Sequence, residues 1–196
     1  MDASPTSAGG FRDRLLAGMA DAVREDGFQQ ATVAEVVRRA RTSRRTFYQH
    51  FEDREACFLA LFDVVSDGLL RTIAEAATGA GRWEQRVERT IAAYLEALAE
   101  DPELVRSCIQ ETPGLGPAGQ ARVREMNRRW AELIVRLVDE ARQHDAEVRP
   151  LSIEAATVIT GGFRDLVIVT IEQGRDLMEL REVGVDLIRR ITQRGA

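Results

Sequence analysis

At 196 residues, with 44% hydrophobic residues, 30% charged residues and a net charge of -5, the chain has the make-up of a soluble globular protein long enough to bury a real core. An acidic balance excludes a protein whose whole surface attracts polyanions, so any nucleic-acid binding has to come from a local patch. The length suits one large domain or a small module joined to a larger one.

The opening MDASPTSAGG has no basic flank and no apolar run, which reads as a short disordered arm over residues 1–10 and not as a secretory signal. Beyond it the apolar spacing is helical almost everywhere. Phe11, Leu15, Met19 and Val23 recur every four residues, and Gly27 is the expected stop. Thr32 and Glu35 have the spacing of a reciprocal capping box that opens a helix to about Arg39. Ser43 can cap a second short helix running through His50, and Asp53 a long one carrying Phe58, Leu61, Phe62, Val65, Leu69 and Ile73 on one face.

Gly79 and Gly81 should break that helix, after which Trp83, Val87, Ile91, Tyr94 and Leu98 stripe another. Asp101 is placed to cap the next helix, with Pro102 at its first position. TPGLGP, residues 112–117, reads as a loop, followed by a long amphipathic helix striped by Val123, Met126, Trp130, Leu133, Leu137 and Ala141. Two further helices are expected at roughly 152–173 and 176–193. The most apolar stretch, IEAATVITGGFRDLVIVTIE, is interrupted by Arg164 and Asp165, which argues against a membrane span. The expectation is a cytoplasmic all-α protein of about nine helices with no membrane partner.

All 27 basic residues are arginine, read here as a codon bias of the source genome. Cys57 and Cys108 sit far apart in apolar helical patterns and read as small core hydrophobes. A redox switch is the sharper alternative, but neither has an activating neighbour in sequence. No nucleotide-binding glycine loop, metal-ligand cluster or spaced nucleophile and base occurs, so no enzyme, cofactor or metal is expected.

RTSRRTFYQHF, residues 41–51, concentrates arginines and aromatics in this acidic chain. From Arg38 to Arg54 six arginines stand against Glu52 and Asp53, a local net +4. Two short helices joined by the tight turn ARTS describe a helix-turn-helix whose second helix can enter the DNA major groove. Phe47 should face inward and Tyr48 outward, its hydroxyl free for a phosphate. The plainer reading of the same run is a solvated, arginine-rich surface helix.

From about Leu15 to Phe58 the sequence resembles the TetR/AcrR-type transcriptional regulators, above all in TFYQHFEDRE, with the Gly27-Phe28 pair and the Thr32-Val33 helix start. The resemblance implies a three-helix DNA-binding domain over 11–54 and a helical ligand-binding and dimerisation domain over 55–196. It implies that Thr32 offers its backbone amide and hydroxyl to a phosphate and that Ser43, Thr46, Tyr48, His50 and Arg54 hold the DNA backbone. Arg44, Arg45 and Gln49 would face base edges, and His50 would be a neutral phosphate donor and not a metal ligand. Arg41 stands where the family has glycine. Either the turn differs or the extra arginine is kept for DNA, and a left-handed backbone there would cost about 1 kcal/mol relative to glycine.

One short helix reads too few base pairs for a genomic address, so a homodimer on a palindromic operator is expected, its reading heads about 34 Å apart or further. The two last helices would supply the interface through Ile159, Gly161, Gly162, Leu166, Leu180, Gly184, Leu187 and Ile191, the glycine pair admitting a close neighbour. The alternative is that both helices are monomer core. A small, substantially apolar effector would lie among Phe62, Val65, Tyr94, Cys108, Met126, Trp130 and Phe163, residues that equally suit a plain core. The leading expectation is a ligand-released repressor. The alternative is a helical architectural or partner-binding protein with no sequence readout.

Overall fold

In the computed structural model of the chain, residues 8–79 and 81–193 are described. Among them nine α-helices form: α1 (Ala8–Asp26), α2 (Val33–Arg39), α3 (Arg44–His50), α4 (Arg54–Ala77), α5 (Trp83–Ala99), α6 (Pro102–Glu111), α7 (Gly116–Arg142), α8 (Ile153–Glu172) and α9 (Arg181–Thr192). The one β-type pairing described is an isolated bridge between Val148 and Gln193. The all-α expectation holds. Most of the expected N-terminal arm lies outside the described residues, and Ala8, Gly9 and Gly10 already belong to α1. No described helix is long and apolar enough to cross a membrane.

The chain divides into two compact units, the first from Met1–Val65 and Glu103–Arg122, the second from Ser66–Pro102 and Val123–Ala196. The borders fall inside α4, at the first residue of α6 and inside α7. Cys57, Phe58, Leu61 and Phe62, in the part of α4 that belongs to the first unit, are buried.

In the first unit α1 stops where Gly27 takes φ +76, and Phe28 turns inward to meet the Phe58 ring at 4.2 Å. Gly18 lets α1 and α2 touch: a Cβ there would sit 2.7 Å from the Val36 carbonyl oxygen and 3.0 Å from the Ala40 nitrogen. Leu15, Met19, Val23, Phe28, Val36, Phe47 and Phe58 are sealed from solvent. Full burial stabilises each large side chain by about 1.5–3 kcal/mol, enough to fix α2 and α3, which at 7 residues each would not form alone.

The second unit is built around Trp83, Val87, Ala131, Val138, Ile159, Val185 and Ile188, which bring α5, α7, α8 and α9 together. The buried Trp83 indole donates to Thr192 Oγ1 at 3.0 Å, and that hydroxyl donates to the Ile188 carbonyl at 2.7 Å. Arg189 and Glu88 pair at 2.6 Å across α9 and α5.

Three local expectations need correction. The capping box at α2 is only half formed: Thr32 Oγ1 accepts from the Glu35 amide at 3.3 Å, but the Glu35 carboxylate turns to Arg38 at 2.7 Å. TPGLGP is not an open loop, because Thr112–Gly114 winds a 3-10 turn and α7 begins at Gly116. The last helix starts as a 3-10 segment over Leu177–Leu180, capped by Asp176, and becomes α-helical at Arg181.

Candidate nucleic-acid interface

The site is assembled by three caps and one anchor. Thr32 opens α2. Ser43 Oγ accepts from the Thr46 amide at 3.1 Å to open α3, and Asp53 accepts from the Ala56 amide at 2.7 Å to open α4. Each cap satisfies an amide that a helix start leaves orphaned. Phe47 anchors α3. It is fully buried, with Phe51 at 5.7 Å and the Tyr48 ring edge-on at 5.4 Å. Its burial turns the opposite face outward, so Arg44, Arg45, Tyr48 and Gln49 are exposed, Tyr48 by 58%. His50 is half-buried at the end of the helix.

The charge cluster sorts into two sets that sequence alone does not separate. Arg38 pairs with Glu35, while Arg39, only 11% exposed in its side chain, pairs with Glu25 at 2.7 Å and Asp26 at 3.4 Å from α1. These guanidiniums hold the Glu25 and Glu35 carboxyls below their ordinary value, chiefly through the direct hydrogen bonds. Arg41, Arg44 and Arg45 are exposed and make no ion pair among the described residues. The free positive charge therefore sits on the turn and the start of α3, not evenly from Arg38 to Arg54.

Arg41 adopts φ +48, so the turn keeps its left-handed residue and arginine occupies it. Thr32 keeps its hydroxyl proton for an outside acceptor, but its amide is spent on the Gln30 carbonyl at 2.8 Å. Ser43 and Thr46 share a hydroxyl hydrogen bond at 3.0 Å, leaving one of their two protons free. Arg54 is turned inward. Its Nη1 donates to the Phe28 and Gln29 carbonyls at 3.2 and 3.1 Å, and its guanidinium lies 4.4 Å from the centre of the Phe28 ring. Arg12 of α1, not among the expected contacts, lies 5.6 Å over the Phe51 ring.

The expected interface set also divides. Ile159 and Leu180 are buried in the chain's own core, and a Cβ on Gly184 would meet the Phe163 ring at 3.0 Å, so these three are spent internally. A Cβ on Gly161 or Gly162 would meet nothing within 4 Å among the described residues, so neither admits a close helix there. Leu187 and Ile191 pack partly on the core. Leu166 is exposed, and so are Val158 (by 74%) and Val169, which sequence reasoning passed over although they share its stripe with Gly162 at helical spacing.

The expected effector residues fall in both units. Phe62, Val65 and Cys108 belong to the first, and Tyr94, Met126, Trp130 and Phe163 to the second. Phe62 and Cys108 are buried, whereas Val65 and Met126 are half-buried. Within the second unit the Tyr94 ring lies 5.2 Å from Trp130 and 6.1 Å from Phe163. Cys57 and Cys108 are buried and are not joined in a disulfide, and burial pushes the Cys57 thiol up to about 12. No cluster of three potential metal ligands occurs among the described residues.

A capped three-helix unit presenting one short arginine-bearing helix defines a helix-turn-helix domain. Residues 15–61 match the family model of bacterial regulatory proteins, tetR family. Compared by sequence, no curated protein matches the chain. Among solved structures, the fatty acid degradation regulator FadR from Bacillus halodurans has a TM-score of 0.79 at 18% identity, covering 99% of this chain and 100% of that one. FadR from Bacillus subtilis, in complex with stearoyl-CoA, scores 0.75 at 17% identity, covering 90% and 96%. The reduced form of E. coli NemR scores 0.73 at 17% identity, covering 95% and 99%. At such identities the likeness is one of fold. The match to bacterial regulatory proteins of the tetR family covers the helix-turn-helix unit, residues 15–61.

Proposed function

We propose that the chain is a ligand-responsive transcriptional regulator that represses by binding a palindromic operator as a homodimer. The observation that carries this reading is the two-sided character of α3, with Phe47 sealed in the core and Arg44, Arg45, Tyr48 and Gln49 turned outward beside the unpaired Arg41. Arg44, Arg45 and Gln49 would read base edges, since arginine bonds guanine and glutamine bonds adenine bidentately. Thr32, Ser43, Thr46, Tyr48 and His50 would hold phosphates, together with Arg41. Arg54 acts differently, by holding the Phe28 turn.

The two protomers would meet through the stripe of Val158, Gly162, Leu166 and Val169, apolar surface that a monomer has no reason to expose. A substantially apolar effector suits the aromatic group of Tyr94, Trp130 and Phe163. A protein of the same fold, FadR from Bacillus subtilis, was solved with stearoyl-CoA. Because α3 ends at His50 and α4 begins at Arg54, an effector that displaces α4 displaces the reading head, and phosphate contacts at the two half-sites are lost together.

Sequencing the genomic DNA retained by the protein at about 150 mM salt tests the reading, since that level suppresses phosphate-only binding. A recovered palindrome supports it. Uniform retention of all fragments would favour an architectural DNA protein instead.

A further inference from the structure

In the second unit the side chains of Tyr94, Trp130 and Arg164 each carry a hydrogen-bond donor with no acceptor among the described residues. The Trp130 indole nitrogen is buried without a partner among the described residues, and so is Nε of Arg164. The Tyr94 hydroxyl makes no hydrogen bond among the described residues either. Tyr94 joins the group together, with its ring edge-on to Trp130 at 5.2 Å, tilted to Phe163 at 6.1 Å and within the field of the Arg164 charge.

Native interiors rarely leave donors unmade, because each gives up water and gains nothing. The acceptors nearby are already used. Asn127, one turn before Trp130 on α7, accepts Arg164 Nη1 at 3.2 Å. The nearest carboxylate to Arg164 is its chain neighbour Asp165, at 3.3 Å from Nη2, and that side chain is exposed. The cluster thus combines unmade donors and a guanidinium with aromatic rings.

Tyr94 is enclosed enough for burial to raise its phenol well above the ordinary range, although Arg164 pulls the other way. It nevertheless keeps accessible surface, as do Met126, Trp130 and Arg164. Its hydroxyl therefore keeps its proton at physiological pH and can offer it to an acceptor from outside.

Resting on the reading of the chain as a ligand-responsive regulator, we infer that Tyr94, Trp130 and Arg164 form the head-group subsite of an organic-acid effector, an apolar body carrying a carboxylate. A carboxylate accepts about four hydrogen bonds and gains charge assistance from a guanidinium. A water molecule would satisfy some of these donors but would bring no charge to Arg164. An alcohol brings one acceptor oxygen, and an amine brings a like charge.

The test is calorimetric titration of the full-length protein at pH 8 with octanoate, 1-octanol and octylamine, which share one chain length and differ in head group. The expected result is octanoate binding at least about tenfold tighter than either control, with that preference lost in Arg164→Gln. Tyr94→Phe keeps the ring and Trp130→Phe keeps an aromatic side chain, so each should fold and still erode the preference. Equal affinity for octanoate and octanol, binding of none of the three, or a preference untouched by both aromatic variants would overturn the inference. Operator release is scored in parallel. Preferential octanoate binding that leaves the operator occupied would uphold the subsite and remove the regulatory reading. Release of the operator by octanol as readily as by octanoate would do the reverse.

Discussion

Arg54 clasps Phe28 from two sides at once, donating to its carbonyl oxygen at 3.2 Å while lying 4.4 Å above its ring. The position resembles one where the family would place a phosphate contact. In this chain the guanidinium is occupied by the turn that links α1 to α2. Arg54→Ala should therefore destabilise the first unit by about 1–3 kcal/mol, the range for a charge-assisted hydrogen bond. Urea unfolding measures this, and the salt dependence of DNA binding should keep its slope, because no phosphate contact is removed.

Phe47 and Tyr48 are neighbours with opposite assignments, and substitution should separate them. Phe47→Ala removes a fully buried ring and should cost about 3–5 kcal/mol. Tyr48→Ala loses only the edge contact to Phe47, about 0.5–1.5 kcal/mol, and should leave a folded protein that no longer retains its operator. Thermal unfolding and electrophoretic retardation on the same preparations read both effects.

Arg41 holds φ +48, where a side chain costs about 1 kcal/mol relative to glycine. Arg41→Gly should raise the urea midpoint and lower DNA affinity together. A stabilised variant with unchanged affinity would mean that this arginine makes no DNA contact.

Much of the head was legible because its signals are local. Ser43 and Asp53 cap at the expected residues, and the four-residue spacing of Ser43, Phe47 and Phe51 oriented α3. What sequence could not show depends on partners far along the chain. Arg39 looks like its neighbours in a charge run until α1 brings Glu25 beside it, fourteen residues away. Thr32 kept its cap but lost its amide to Gln30, a choice made by the 3-10 turn that precedes it. An apolar pattern on nearly all sides of α8, and a single apolar stripe on the last helix, left open which residues the chain's own core would take. Packing against Phe163 and the second core decided it, drawing Ile159, Leu180 and Gly184 inward and leaving Val158, Leu166 and Val169 outside.

That outer stripe yields a prediction on assembly. Val158→Asp combined with Leu166→Asp should give a folded monomer by sedimentation, since both side chains are exposed in the single chain and their replacement disturbs no core contact. Gly184→Val, by contrast, should lower stability by about 1–3 kcal/mol, because its side chain would strike Phe163.

The buried Cys57 thiol holds its proton to about 12, against an ordinary value of 9.0, with desolvation as the cause and the Arg12 charge opposing it. A pKa raised by folding contributes stability that is complete below the unfolded value and declines as pH rises toward the folded one. Cys57 should therefore resist iodoacetamide in the native protein at pH 8 and react once urea unfolds the chain. Mass spectrometry of the modified peptide distinguishes the two states.

The central claim is that α3 reads sequence. It is tested most directly by fluorescence anisotropy at about 150 mM salt, comparing a captured operator with a scrambled duplex of equal composition, for the native chain and for Arg45→Ala. The account predicts a preference for the operator of about a thousandfold or more, reduced by about tenfold or more in Arg45→Ala through loss of a base contact. Equal affinity for the two duplexes, or an Arg45→Ala protein as selective as the native chain, would contradict it.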